Sequence, residues 1–131
     1  RTPHVDPEVH KLIKEVATEQ GLEQRQFTEQ EILHRLLFGS INEFCKILEE
    51  GKAIRASDLD VMWLHGFGFP RYRGGLMFWG DTIGADKIYN QIAAWHQRYG
   101  DRWRPSALLR ETAEKGGNLR EIKSRKFFPD G

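Results

Sequence analysis

Apolar residues recur every three to four positions along most of this chain, a spacing typical of amphipathic α-helices. The first such run follows Asp6-Pro7, a capping residue with proline at the first helical position, and it ends at Gly21. A longer run follows Thr28 and Glu31, which form a capping box, and it ends near Gly51. Its wide apolar stripe comprises Ile32, Leu33, Leu36, Leu37, Ser40, Ile41, Phe44, Ile47 and Leu48.

Three further runs complete the helical pattern. The first begins around Ser57, where Asp58 and Asp60 suit a helix N-terminus, and it stops at Gly66. The other two extend from Ile88 to Gly100 and from Pro105 to Gly116-Gly117. Because no run alternates apolar and polar residues over the length of a strand, we expect an all-α fold of about five helices.

The segment from Gly66 to Trp79 differs from the rest because glycines alternate with aromatic residues. Glycine permits unusual backbone angles and aromatic side chains bury large areas, so we expect an irregular segment packed on a hydrophobic surface. Its aromatic residues are candidates for a surface that docks another domain or a second chain: Phe67, Phe69, Tyr72, Phe78 and Trp79.

Composition excludes several classes of protein. A chain of 131 residues with 39% hydrophobic content suits one domain with a sizeable core. A net charge of +1 gives no global attraction to nucleic acid or to an anionic membrane, and no apolar run approaches the ~20 residues of a membrane span. Cys45 lies in a helical pattern and is expected to be a buried, unreactive thiol. We therefore expect a soluble, cytoplasmic protein, and a chain beginning at Arg1 to be processed or a piece of a longer one.

Catalytic and metal chemistry have little support in the sequence. The five histidines lack the spacing of metal ligands, and the carboxylate pairs Asp58/Asp60 and Glu49/Glu50 stand at predicted helix ends, where caps are the ordinary explanation. Gly66-Phe67-Gly68 is followed by phenylalanine and proline and is not preceded by a strand, unlike a dinucleotide-binding turn. No catalytic residue, metal or cofactor is therefore assigned to this chain.

Arg71, Tyr72 and Arg73 are the remaining candidates for ligand contact. Interleaved basic and aromatic side chains can clamp a phosphate or stack on a base. Alternatively, the two arginines bond carbonyls and carboxylates within the fold or across an interface. Substrate binding by Arg71 and Arg73 is thus one of two open interpretations.

Several strings together resemble the C-terminal helical domain of 3-hydroxyacyl-CoA dehydrogenases. They are Gly68-Phe69-Pro70, Arg73-Gly74-Gly75, Phe78-Trp79, Asp81-Thr82-Ile83-Gly84 and Tyr99-Gly100-Asp101-Arg102, with Asn42-Glu43, Ile47–Gly51 and Arg55–Asp60 before them. The resemblance covers roughly Thr28 to Gly117. It implies three parts: an N-terminal helix and connection over 1–27, the helical domain over 28–117 and a basic tail over 118–131.

The chain is most similar to the second copy of this domain in multifunctional fatty-acid β-oxidation enzymes, which also carry an enoyl-CoA hydratase. The first copy has an Asn before the Arg of its long helix, whereas this chain reads His34-Arg35. The resemblance implies that NAD, acyl-CoA and the catalytic residues belong to a parent with an upstream Rossmann domain and first helical domain. The chain alone would then be inactive, and a homo-oligomer is conceivable through its exposed aromatics.

Two other functions stay open at this stage. The chain could be a stand-alone helical module that grips a CoA phosphate or nucleic acid through Arg71 and Arg73. It could also be a complete small enzyme with His34 or His65 as base, although the sequence shows no residue to orient either histidine.

Overall fold

The computed structural model of the chain describes residues 4–129, and their secondary structure is helical. Contacts divide the chain into two compact units, Arg1–Glu31 and Ile32–Gly131. The α-helices are α1 Pro7–Glu19, α2 Glu29–Glu49, α3 Ala56–Gly66, α4 Leu76–Ile83, α5 Ala85–Tyr99 and α6 Ala107–Glu114. Short 3₁₀ turns cover Arg71–Arg73, Asp101–Trp103 and Leu119–Glu121, and one isolated bridge pairs Arg55 with Lys123. The expected all-α class is confirmed.

The first unit begins as its sequence predicts. Oδ1 of Asp6 accepts a hydrogen bond from the Glu8 amide at 2.9 Å, and Pro7 opens α1. None of the residues of α1 is buried, so its apolar stripe stays exposed. In the connection that follows, the Arg25 guanidinium makes a two-pronged ion pair with Glu31 and lies 4.0 Å from the centre of the Phe27 ring.

The second unit is built around the inner face of α2. Phe38, Ile41, Cys45 and Leu48 recur at helical spacing on that face, and each is nearly or completely buried. Burial raises the pKa of the Cys45 thiol far above its usual range, so the thiol stays protonated as expected. The core is completed by Leu59, Leu76, Met77, Trp79, Ile88, Ile92, Trp95, Leu109, Leu119 and Ile122.

Part of the glycine and aromatic segment is helical, contrary to the expected irregular conformation. Its last four residues, 76–79, begin α4, and a 3₁₀ turn precedes that helix. The sequence pattern does not predict α4, because the residue that caps this helix lies on another helix. Oδ1 of Asp60 accepts the Met77 amide at 2.7 Å, and Oδ2 accepts the Phe78 amide at 3.1 Å. Asp60 of α3 thus satisfies two donors at the start of α4.

The close approach of Asp60 requires glycine at the residue before α4. Gly75 has φ +105°, and a Cβ built on it would lie 2.5 Å from Cγ of Asp60. Any larger residue would meet both backbone strain and a clash with this carboxylate. Asp58, the other member of the predicted pair, accepts the Arg55 amide at 3.2 Å and so caps its own helix.

Other carboxylates reach across the fold in the same manner. Oδ1 and Oδ2 of Asp81 accept the amides of Leu119 and Arg120 at 2.6 Å and 3.2 Å. These bonds hold the C-terminal segment, in which Leu119, Ile122 and Ser124 are buried. The domain boundaries at 27/28 and 117/118 stay predictions of the sequence.

Replacing Asp60 tests this architecture. Asp60→Asn keeps the shape but turns an NH₂ group toward one of the two amide donors, so we expect the free energy of unfolding to fall by about 1–3 kcal/mol. Urea denaturation followed by tryptophan fluorescence measures the change. Glu114→Gln, on the exposed surface of α6, is the matched control and should stay within about 0.5 kcal/mol of the parent. Equal stability of the two variants would contradict the assigned cap.

The same variant carries a pH signature. Burial, the largest influence, raises the pKa of Asp60, although the hydrogen bonds from Met77, Phe78 and Leu76 oppose it. The folded protein therefore binds the proton more tightly than the unfolded chain. The part of the stability that is linked to this proton is fullest below the ordinary Asp pKa of about 4 and is lost as pH rises through the raised value, whereas the bonds from the two amides remain. The stability difference between the parent and Asp60→Asn should accordingly shrink as pH rises through this window and be constant above it.

Candidate functional site

A groove lies on the outer face of α2 in the second unit. Leu36, Ser40, Glu43 and Ile47, spaced four, three and four residues apart on one side of the helix, line it, and Ile47 also packs against the core. The groove has a volume of about 860 Å³. Its remaining walls are formed by Arg35, Gly39, Asn42, Phe44, Trp63, Tyr99, Arg102 and Trp103.

Aromatic rings form much of the groove wall. Trp63 of α3 meets Phe44 edge to face with ring centres 5.4 Å apart, and its other side stacks on Phe67 at 4.4 Å. Trp103 packs against the core residue Trp95 at 4.6 Å. Such aromatic packing gives a rigid apolar surface that can bury a partner's side chains.

Two arginines line the groove, Arg35 and Arg102. Nη2 of Arg35 donates to the Tyr99 hydroxyl at 3.0 Å, and the guanidinium carbon lies 4.8 Å from the centre of the Tyr99 ring. Arg102 is exposed. The acidic residue in the lining is Glu43, which the Lys46 ammonium neutralises at 2.7 Å. The lining is therefore mainly apolar and aromatic, with charged side chains of both signs.

Two polar residues of α2, Asn42 and Glu49, form hydrogen bonds with the segment that follows Trp103. Asn42, which is buried, donates to the Arg104 carbonyl at 3.0 Å and accepts the Ser106 amide at 2.8 Å. Oε1 of Glu49 accepts the Leu108 amide at 2.6 Å and the Ser106 hydroxyl. Glu49 thus caps α6, and together the two residues hold the chain just after Arg102 and Trp103.

The predicted site residues lie elsewhere. Arg71 and Arg73 are exposed in their 3₁₀ turn and do not line the groove, and Arg73 lies 5.4 Å from the Tyr72 ring centre. Their contact with substrate stays a prediction.

The five interface candidates separate by exposure. Tyr72 and Phe67 are 82% and 67% exposed, Phe78 is partly exposed and Phe69 packs half-buried against the core. Trp79, at 8% exposure, belongs to the core, so it offers little surface to a partner.

The sequence did not predict the groove, because Leu36, Ser40 and Ile47 fall within one wide apolar stripe together with the core residues of α2. Sequence spacing could have divided that stripe in two, since Leu36, Ser40, Glu43 and Ile47 point about half a turn away from Phe38, Ile41 and Cys45. The signal was weak because a serine and a glutamate interrupt the outer face.

Within residues 4–129, no cluster of three or more His, Cys, Asp or Glu side chains is placed to hold a metal ion. The glycines at the end of α3 do not fit a dinucleotide either, because a helix precedes them and Gly68 opens into the loop before the 3₁₀ turn. No helix in the described part of the chain is long and apolar enough to cross a bilayer.

Comparison with known proteins identifies relatives of the chain. A family model described as 3-hydroxyacyl-CoA dehydrogenase, C-terminal domain, matches residues 32–128. The glyoxysomal fatty acid beta-oxidation multifunctional protein MFP-a of Brassica napus is 38% identical over 118 residues, which are 87% of this chain and 16% of that protein. The peroxisomal bifunctional enzyme of Homo sapiens is 34% identical over 113 residues, 85% of this chain and again 16% of the relative. The chain thus spans about one sixth of the length of these relatives.

The relatives overturn one expectation. A cytoplasmic location is wrong, because these relatives are named glyoxysomal or peroxisomal, as is a multifunctional protein of Oryza sativa subsp. japonica that is 40% identical over 117 residues, covering 86% of this chain and 16% of that protein. Composition alone did not reveal the compartment because an organelle lumen also accommodates a mixed-charge surface.

Asn42→Ala tests the support of the groove wall. The substitution leaves the Ser106 amide without its acceptor and the Arg104 carbonyl without its donor, so we expect a loss of about 1–3 kcal/mol in the free energy of unfolding. Asn90→Ala, an exposed position on α5, is the control and should change stability by less than about 0.5 kcal/mol. Urea denaturation measures both, and an unchanged Asn42→Ala variant would contradict the assigned role.

Proposed function

Because this chain belongs to the family of 3-hydroxyacyl-CoA dehydrogenase C-terminal domains, we propose that it serves as the helical domain of an NAD-dependent dehydrogenase of fatty-acid β-oxidation. The observation that carries the proposal is the family match over residues 32–128, which includes the whole core of the second unit. The names of the multifunctional relatives support the same pathway.

The proposed role of this chain is to supply packing surface to a longer parent. NAD, when bound to the parent, would accept a hydride from the hydroxyl-bearing carbon of a 3-hydroxyacyl-CoA. The described residues of this chain include no turn that fits NAD and no metal cluster. We therefore assign NAD and the catalytic base to a Rossmann domain of the parent and expect this chain to be inactive alone.

The proposed partners are the other domains of the parent. An upstream Rossmann domain and a first helical domain are implied by the family resemblance, and an enoyl-CoA hydratase by the names of the multifunctional relatives. We place the parent in the peroxisome, following the compartments named for its relatives.

Activity measurements test this function. The full-length product of the gene should reduce NAD in the presence of a 3-hydroxyacyl-CoA, whereas the chain of residues 1–131 should do so no faster than buffer. Formation of NADH, followed by its absorbance, is the readout. An inert full-length protein would contradict the proposed reaction, and turnover by the isolated chain would contradict its assigned structural role.

Arg71 and Arg73 provide a second test, which separates parent function from a stand-alone binding module. Both are exposed, so replacing them with glutamine should leave the melting temperature unchanged. If they hold a CoA phosphate in the parent, the double variant should raise KM about tenfold with kcat unaltered, as expected for a lost charged hydrogen bond.

The matched control is Arg98→Gln, an exposed arginine on α5. An equal KM for both variants would remove Arg71 and Arg73 from the substrate site. Salt-sensitive binding of CoA or nucleic acid by the isolated chain would instead favour the stand-alone module.

A further inference from the structure

A second concavity of the second unit lies where the C-terminal segment meets the start of α3. Its volume is about 510 Å³. Three cationic side chains, one carboxylate, one hydroxyl and one buried apolar side chain form its lining: Arg55, Arg120, Lys123, Glu121, Ser57 and Ile122. Positive charge therefore dominates this surface.

Backbone pairing places two of these cations side by side. Arg55 and Lys123 are directly opposite each other in the isolated antiparallel bridge. The residue after Arg55 donates to the residue before Lys123, and the residue after Lys123 donates to the residue before Arg55, both at 2.9 Å. In a pair of this type the Cα atoms lie only about 4.5 Å apart and the side chains leave the same face. Like charges directly opposite each other are destabilising, and an anion between them would relieve the repulsion.

Neighbouring carboxylates engage only part of the two guanidinium groups. Nε and Nη2 of Arg55 donate to Asp58 at 3.3 Å and 3.0 Å. Nε of Arg120 lies 3.9 Å from Oδ2 of Asp81, whose two oxygens already accept backbone amides. Because a guanidinium carries five N–H donors, both arginines retain donors for a further anion.

Lys123 has no carboxylate partner in the described part of the chain. Its Nζ lies 5.3 Å from the centre of the Phe128 ring, a cation–π contact that does not neutralise the charge. Glu121, the acid of the lining, accepts a hydrogen bond from the side-chain amide of Asn118 at 3.2 Å. The concavity thus holds an ammonium group without a counter-ion beside a second cation.

We propose that this concavity binds a phosphate group, which lies between Arg55 and Lys123. The guanidinium of Arg120 and the exposed Ser57 hydroxyl donate to the same group. A phosphate dianion supplies the charge that two apposed cations lack, and its oxygens suit the fork of an arginine. Inorganic phosphate and the phosphate of a nucleotide share this chemistry. The inference does not depend on the reaction proposed for the parent.

Calorimetric titration of the 131-residue chain with inorganic phosphate, at an ionic strength held constant with sodium chloride, tests the site. Lys123→Gln should raise the dissociation constant for phosphate about tenfold, because one charged hydrogen bond to the anion is lost. The fold should be retained, since the flanking bonds join backbone atoms. Lys87→Gln, an exposed lysine on α5, is the matched control and should bind phosphate as the unaltered chain does.

Charge reversal gives a second readout, which a merely structural role of the lysine would not produce. Lys123→Glu replaces a like-charged pair by an oppositely charged one, so without phosphate this variant should melt at a higher temperature than the unaltered chain. Phosphate should raise the melting temperature of the unaltered chain and of Lys87→Gln by more than that of Lys123→Glu, because a ligand stabilises only a protein that binds it.

Titration with adenosine monophosphate separates the two sources of the phosphate group. Tighter binding of the nucleotide than of inorganic phosphate, weakened in Lys123→Gln, would assign the site to a nucleotide, and equal binding would assign it to inorganic phosphate. Three results would overturn the proposal: no binding of either compound, equal weakening by Lys123→Gln and Lys87→Gln, or a Lys123→Glu variant that melts below the unaltered chain without phosphate.

Discussion

The carboxylate of Asp60 is the contact on which the second unit depends. It accepts the first amides of α4 from a neighbouring helix, across 17 and 18 positions of sequence. Helix α4 has only eight residues and contains a glycine, so it has little intrinsic stability. Once its start is fixed, Leu76, Met77 and Trp79 enter the core, and α5 follows after Gly84. A buried carboxylate therefore determines where a large part of the apolar core is placed.

The same device recurs where other segments meet the core. Glu49 caps α6 across 59 positions, Asp81 holds the turn at Leu119 across 38, and Asn42 joins α2 to Ser106 across 64. Each side chain satisfies backbone groups that a short helix or turn leaves open. Glu49 and Asn42 also hold the wall of the groove on α2. Binding surface and stability thus share the same polar contacts.

The sequence predicted the helix starts that are capped by residues next to them in the chain. Asp6-Pro7 and the capping box of Thr28 and Glu31 indicated the starts of α1 and α2, and the resemblance of the chain to its family was confirmed. Helix α4 was not predicted because its cap comes from α3, and glycine with aromatics is an ambiguous local signal. The groove was not predicted because the periodicity of α2 shows that it is apolar on a wide face without showing which part remains uncovered.

The feature of this fold that bears most directly on function is a surface, the groove on α2. The described residues contain a groove lined by aromatic, apolar and charged side chains, and aromatic and apolar linings of this kind are common in binding surfaces. Native-state hydrogen exchange of the Met77 and Phe78 amides tests the contact that supports this surface most directly. The account predicts protection of both amides close to that of the core of α2, since they bond a buried carboxylate. Exchange of these two amides at the rate of a frayed helix terminus would contradict it.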